Sequence, residues 1–584
     1  MTDVDAVVIG SGAGGLTAAV ALQQAGLRTL VLEQHYAPGG WCHSFTLEGH
    51  RFSPGVHYVG ELGPGGRMRA FYEGLGVSAD MEFCELNPDG FDRVRIGAER
   101  FDIPKGRGEL ERRLCDRFTR ERAGIRGYLH TVAALSEQLN ALFEFRGLLD
   151  LLKLPVRAPA VARWGLASTT SLLDRYVRDP LLRAILTAQA GDHGLPPSMA
   201  PAPVHASVTA HYFDGGWYPR GGAWVLPRAF IRALTRAGGE IRLETAVARI
   251  LVEGGRAIGV RLADGQEIRA RYVVSNADPG VTFGRLLERP PAAARRKLQS
   301  TRWSVSALSL FMATDLDVRA LGIDSGNVWS YTNADLERIY RLGMRDDLPE
   351  GEVPGLFVTA TTLKDPSKFR GTHTLEAFTF LRDGAFRSFA GSRAGAEEPA
   401  SPATGGGRRP EHPTEGPASP ATGGGRRAQP WRPAGYLELK RSLTARMLSA
   451  VERVLPGISQ RLQVCELGTP LTNLHYCEST EGNLYGTEKS RWQVGPWAWP
   501  IRGQMPGLFL CGASTVSHGV LGATISGLMA AREILGVRVS ELLQQRGPPL
   551  VTLPAEHPEQ WPERLRPRAA QPQVKSSIPQ QPVA

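Results

Sequence analysis

Several things are scarce in this chain, and each shortage narrows its class. No run of eighteen apolar residues occurs in its 584 positions, so no membrane-spanning helix is expected. There are six cysteines and no C-x-x-C pair. Neither a disulfide scaffold nor a zinc module is expected, and the thiols read as reduced. Cys42-His43 is the only adjacent pair of metal-ligand types, and no metal site is expected. Asp and Glu number 58 against 68 Lys and Arg, a net charge of +10. The basic residues form no cluster interleaved with aromatics, which argues against nucleic acid and for an anionic membrane surface. A strand already begins at Asp5, so no signal peptide is expected. The expected location is cytoplasmic, with peripheral contact at the inner membrane face. The length and an apolar content of 42% suit two domains with real cores.

What is present starts at once. Asp5 to Ile9 reads as a strand, and Gly10-Ser-Gly12-Ala-Gly14-Gly15 follows it. A helical pattern then runs to Gly26, and a second strand, Thr29–Leu32, ends at Glu33. Gly10 permits the tight turn, Gly12 lets the backbone approach a pyrophosphate, and Gly15 lets helix and strand pack closely. The helix N-terminus, at Ala13 and Gly14, offers free N–H groups to phosphate. Glu33 stands eighteen residues past Gly15, where an acid bonds ribose hydroxyls. Dinucleotide binding is expected. Further glycines at Gly39, Gly40 and Gly55 favour FAD over NAD, because an extended dinucleotide needs several close backbone approaches.

Glu33-Gln-His-Tyr-Ala-Pro-Gly-Gly-Trp-Cys-His-Ser-Phe45, followed by Phe52-Ser-Pro-Gly-Val-His-Tyr-Val-Gly60, resembles the phytoene desaturase superfamily of flavoproteins. Within it, His57-Tyr58-Val59-Gly60 resembles the branch of all-trans-retinol 13,14-reductases (retinol saturases) and carotenoid isomerases. Later blocks occur in the family's order: Trp217-Tyr-Pro-Arg-Gly-Gly222, a double hairpin from Gly238 to Ala277, and Gly507-Leu-Phe-Leu-Cys-Gly512 leading to Ser517-His-Gly-Val520 and a helix. The hairpins turn at Gly254-Gly255 and Asp264-Gly265. The resemblance implies bound FAD. It places Gln34, Gly39 and Gly40 along the cofactor, the Val247 backbone at the adenine, and Gly512, Gly519 and Val520 at the flavin. Trp41, Ser53 and Ala513 stand where many relatives carry Arg, Asp and an acid.

The expected fold is α/β: a discontinuous Rossmann-like FAD domain (1–100, 210–300 and 495–540) beside an α+β substrate domain (101–209 and 301–494). Residues 108–190 read as helical, and Leu308–Ala313, Phe357–Thr361 and Leu375–Phe380 as strands. In 392–431 the ten residues Ala400–Arg409 recur at Ala418–Arg427, a low-complexity insertion expected to be disordered. Residues 541–584 are rich in Pro, Gln and Arg and read as a flexible tail. The stretch 141–154 reads either as an interfacial helix or as a core helix.

The family acts on long apolar polyenes. A saturase, desaturase or cis–trans isomerase of a carotenoid or retinoid is therefore implied. Only one dinucleotide fingerprint is present, so a net redox reaction needs a diffusible electron donor or acceptor. Flavin does the hard step, and saturation also needs a proton donor. His57, Tyr58 and His518 flank the flavin blocks and are the catalytic candidates. Trp217 and Trp224 are candidates for an apolar tunnel, against plain core packing. Two alternatives share the fold: a flavin amine oxidase, and a non-redox escort of prenyl lipids and proteins.

Overall fold

A computed structural model describes residues 3–142, 154–390 and 435–567. The first motif folds as read. Strand Val4–Ile9 leads through the glycine turn into helix Ala13–Gln24, and strand Thr29–Leu32 returns parallel to the first. These strands sit inside a seven-stranded sheet in the order 247–253, 256–262, 267–275, 4–9, 29–32, 240–242, with 508–510 beside 267–275. Strand Glu267–Ser275 joins two regimes. Its first half closes the expected hairpins, and its second half pairs in parallel with Val4–Ile9 and Leu508–Leu510. Ala6 to Ile9 are all buried because the sheet is covered on both faces. Ala6 and Val8 pack towards helices Ala13–Gln24, Val225–Arg236 and Gly519–Leu535. Val7 and Ile9 pack towards Ile250, Val260, Phe283 and Leu508 on the other side.

A second seven-stranded sheet runs in the order 462–468, 306–314, 373–381, 355–360, 327–331, 92–96, 99–103. Its aromatic face (Trp329, Tyr331, Phe357, Phe378) lies against helices Arg122–Leu142 and Ala202–His211. Its aliphatic face (Leu308, Leu310, Leu356, Leu375) lies against helix Tyr436–Glu452. The last two strands of this sheet come from residues 92–103, which straddle the end of the first segment (1–100) expected for the FAD domain. Their alternating Asp92, Val94 and Ile96 supply a buried face that the second sheet completes.

The C-terminal expectation needs correcting. Residues 541–567 are packed structure, not a flexible tail. Val551–Pro554 pairs in parallel with Glu82–Glu85, which pairs in turn with Trp217–Pro219. Trp561 is buried, and its Nε1–H donates to the Pro554 carbonyl at 2.7 Å. Leu553, Trp561 and Leu565 form a small core with Cys84. Composition hid this, because a few apolar anchors spaced among Pro and Arg are enough to hold the segment. Each fully buried aliphatic or aromatic side chain is worth about 1.5–3 kcal/mol. Residues 568–584, the insertion 392–431 and most of the stretch 141–154 lie outside the described residues. Among the described residues no helix is long and apolar enough to cross a membrane. All six cysteines are free thiols, four of them buried.

Candidate active site

A cavity of about 300 Å³ opens where the two sheets meet. Its walls contain every residue singled out above for cofactor binding except Gly15. Gly10, Gly12, Ala13 and Gly14 enter from the first turn, Glu33 and Gln34 from the end of the second strand, and Gly39 and Gly40 from the loop beyond. Val247 contributes from the hairpin, and Gly512, Gly519 and Val520 from the last strand–helix connection. Gly15 faces away. A Cβ there would overlap the Gly10 carbonyl, so it secures the tight strand–helix junction.

Two helices begin on this cavity. Helix Ala13–Gln24 starts after Gly12, and helix Gly519–Leu535 after His518, and neither has a side-chain cap. Uncapped first turns leave N–H groups and partial positive charge facing the space. The two helices cross at glycine. A Cβ on Gly14 would lie 2.8 Å from the Gly512 nitrogen, and one on Gly527 would overlap the Gly14 carbonyl. Asn276 fills the gap between the two turns and abuts Gly12, Gly14 and Gly512. Glu33 is buried. Its Oε2 accepts from the Ser11 backbone at 2.9 Å and from the Ser11 hydroxyl at 2.6 Å, and its Oε1 accepts from the His35 backbone. The acid therefore braces the glycine turn, and its remaining lone pairs face the cavity. Two buried polar atoms in the walls, His35 Nε2 and Ser479 Oγ, have no partner in the protein. Bare helix ends, glycine surfaces and orphaned polar atoms all suit a dinucleotide.

The family model described as flavin containing amine oxidoreductase matches residues 13–368, more than half of the chain. The chain belongs to that family. Among curated relatives of this flavin oxidoreductase family member is an all-trans-retinol 13,14-reductase of Danio rerio. It is 29% identical over 91% of this chain and 86% of its own. A chloroplastic prolycopene isomerase of Arabidopsis thaliana is 25% identical over 91% of this chain and 82% of its own. Of solved structures, an oxidoreductase from Methanosarcina mazei superposes with a TM-score of 0.57 at 16% identity. It covers 91% of this chain and 100% of that one, a likeness of fold alone.

The three catalytic candidates fare differently. His57 lines the cavity. Its Nδ1–H donates to Glu376 Oε2 at 3.0 Å, and the other oxygen of Glu376 accepts the Ser53 backbone N–H at 2.6 Å. The ring lies 5.2 Å from Phe357 and, stacked, 5.2 Å from Phe378. Tyr58 and His518 do not line the cavity. Tyr58 turns away from it, its hydroxyl hydrogen-bonded between Asp92 at 3.0 Å and Asp192 at 2.9 Å. His518 Nε2–H donates to the Asp192 carbonyl at 2.6 Å, leaving Nδ1 buried without a partner. Burial, then the nearby Lys489, pushes its pKa down to about 3. A neutral imidazole whose only N–H is held by a carbonyl has no proton for the cavity.

The expected tunnel tryptophans are also elsewhere. Trp217 is core, and Trp224 donates to the Gly221 carbonyl with Arg51 and Arg228 over its ring. The cavity's aromatic wall is instead Trp41, Phe378, Tyr476 and Tyr485.

Behind His57 lies a polar cluster that no sequence motif marks. Lys364, fully buried, donates to Asn327 Oδ1 and to the His57 carbonyl. Burial lowers its pKa to about 7, against the pull of Glu376 and Asp92. Asp92 accepts from Asn327, Gln189 and Tyr58. Asp192 has only the Tyr58 hydroxyl. One phenolic proton cannot serve two carboxylates. Asp92, with three donors, is therefore the charged one, and Asp192 carries a proton that it gives to the Tyr58 oxygen. Burial, then the charge of Asp92, raises the pKa of Asp192 to about 8. Asp92, Asp192 and the Lys364–Glu376 stretch come from three segments far apart in the chain, and no local motif marks them.

Proposed function

We propose that this protein is an FAD-dependent oxidoreductase acting on carbon–carbon double bonds of an apolar polyene of carotenoid or retinoid type. The observation that carries the reading is the cavity itself. Two uncapped helix ends open into it, and a histidine locked by a buried carboxylate lines it as well. The curated relatives named above act, by their names, on retinol and prolycopene, and they are similar over nine-tenths of the chain.

In this reading the turn at Gly10, Gly12 and Gly14 holds the pyrophosphate, Glu33 and Gln34 the ribose, and the Val247 backbone the adenine. Gly39 and Gly40 pass along the cofactor, and Gly512, Gly519 and Val520 hold the flavin. FAD, when bound, supplies hydride exchange with carbon. His57 is the group that holds or delivers the proton. With Nδ1–H tied to Glu376, the Nε2 atom is the one left for substrate, and the carboxylate fixes the tautomer and orientation of the ring. Phe357 and Phe378 pack against the ring, and Phe378, which lines the cavity, offers an apolar surface to the polyene. Electrons come from a diffusible donor or pass to a diffusible acceptor, unless the reaction is an isomerisation.

The test is the mass of the product. Purified protein, with flavin oxidised or reduced without air, is incubated with retinol and a panel of carotenoids. A gain or loss of two hydrogens identifies a saturase or a desaturase. Unchanged mass with altered retention identifies an isomerase. No change in any polyene, with turnover of amines, overturns the reading in favour of amine oxidation. Protein that carries no flavin and still binds prenyl lipid overturns it in favour of an escort.

A further inference from the structure

We propose that the surface formed by residues 289–303 and 490–502 docks on anionic phospholipid membranes. Trp492 and Trp497 are the only exposed tryptophans among the described residues, 64% and 41% accessible. They pair edge to face at 5.7 Å on one loop. Aromatic rings of this kind, apolar with one polar N–H, favour the membrane–water interface.

The loop is fixed to helix Ala292–Ser300 and the residues after it. Lys297 Nζ donates to the Ala498 carbonyl at 2.7 Å and to the Trp497 carbonyl. Gln493 exchanges hydrogen bonds with the backbone N–H and carbonyl of Arg302, and Trp499 Nε1–H donates to Thr301. The two segments thus present one face. Neither contains Asp or Glu. Arg289, Arg295, Arg296 and Arg302 are exposed and Arg491 is half-buried, and none of them makes an ion pair among the described residues. Elsewhere on this protein surface arginines are commonly matched, as Arg112 is to Glu109 and Asp116. Apart from Glu288 at its edge and Glu533 paired to Arg502, the face carries unpaired arginines around two projecting indoles, which is complementary to negatively charged headgroups over an apolar layer.

The patch lies directly behind the cavity wall. Phe283 stacks on Trp499 at 5.0 Å, while Val281, Arg285 and Leu286 of the same segment line the cavity. The docking itself does not depend on which reaction the cavity performs.

Flotation of the full flavin-loaded chain tests this, with vesicles of phosphatidylcholine alone and of phosphatidylcholine mixed with phosphatidylserine. Binding to the mixed vesicles only, weakened by salt, is the expected result. Trp492→Ala/Trp497→Ala and Arg295→Glu/Arg296→Glu are each expected to weaken it roughly tenfold or more, since one basic residue near an anionic surface is worth roughly fivefold. Arg338→Glu, an exposed arginine outside both segments, is expected to leave it unchanged. Retained flavin absorbance confirms that each variant is folded. Failure of the wild type to float, or equal flotation of the patch variants, overturns the proposal. So does unchanged flotation with altered self-association in sedimentation, which assigns the face to a second copy of the chain.

Discussion

The two walls of the cavity are made in opposite ways. The wall of helix ends is local: Gly10 to Glu33 span one strand–helix–strand unit, and Gly512 to Val520 one strand–helix connection. The wall of His57 is assembled from afar. Glu376 reaches His57 across 319 residues, and Lys364 reaches its carbonyl across 307. The first wall tolerates few side chains because backbone meets backbone. The second consists of side chains whose charge and tautomer depend on one another. In the proposed reading the first wall binds the cofactor and the second moves protons, and each breaks differently.

Breaking the first wall has the largest effect. Gly14→Val forces a branched side chain against the Gly512 nitrogen and the Ala523 carbonyl, both backbone and unable to yield. Purified variant is expected to lack the flavin absorbance of the wild type altogether. Flavin at full occupancy sinks the assignment of this turn.

Breaking the second wall leaves the flavin in place. His57→Phe removes the proposed proton carrier while keeping a ring beside Phe357 and Phe378, and turnover is expected to fall about 10²–10⁴-fold. Glu376→Gln keeps the shape but loses the charge that orients the imidazole. It is expected to lower turnover in the same direction and to shift its pH profile. Loss of turnover with an unshifted profile in Glu376→Gln identifies mere structural damage. An isomerase requiring no net proton transfer is expected to show a smaller loss in both variants.

The same contrast explains what the sequence disclosed. The first motif, the hairpins at Gly254-Gly255 and Asp264-Gly265, and the strands around 308, 357 and 375 each announce themselves within a dozen residues through turn chemistry and apolar spacing. The glycine turns and helix starts follow from the same short patterns, so the residues gathered on that wall of the cavity were legible one by one. The proton wall was not. His57, Tyr58 and His518 were picked out only because they flank resembling blocks, two of the three face elsewhere, and Glu376 inside strand His373–Leu381 looks like any polar residue in an apolar run. Its role exists only once Ser53 and His57 are folded against it. Pairing of strand 92–96 with strand 327–331 was illegible for the same reason, because parallel partners so distant leave no turn between them.

A smaller effect probes the C-terminal strand that composition concealed. Trp561→Ala removes the indole from the core of Cys84, Leu553 and Leu565 and leaves the Pro554 carbonyl without its donor. Destabilisation of about 3–5 kcal/mol is expected in denaturant unfolding. Because the segment braces strand Glu82–Glu85 and not the cavity, flavin content is expected to hold in native buffer. A stability change near zero returns residues 541–567 to the status of a loose tail.

The most subtle prediction concerns the shared proton of Asp192 and Tyr58. Asp192 keeps its proton in the folded chain up to a pH of about 8 and releases it near 3.8 when unfolded. Between those values the folded state holds the extra proton, so the stability it confers is full below about 4 and is lost as pH rises towards about 8. Asp92, raised to about 6, works in the same direction over a narrower window. Lys364 works oppositely above about 7, where the unfolded chain regains a proton that the folded chain has shed. His193, His205 and His518, all nearby and all lowered by burial, add stability as pH rises through the acid range. Comparing wild type with Asp192→Asn cancels these shared contributions. The amide keeps a donor for the Tyr58 oxygen and exchanges no proton. Wild type is therefore expected to lose up to about 1.4 kcal/mol per pH unit relative to the variant between roughly pH 4 and 8. Parallel stability curves across that window show that Asp192 is ionised in the fold, and that the proton sits elsewhere in the cluster.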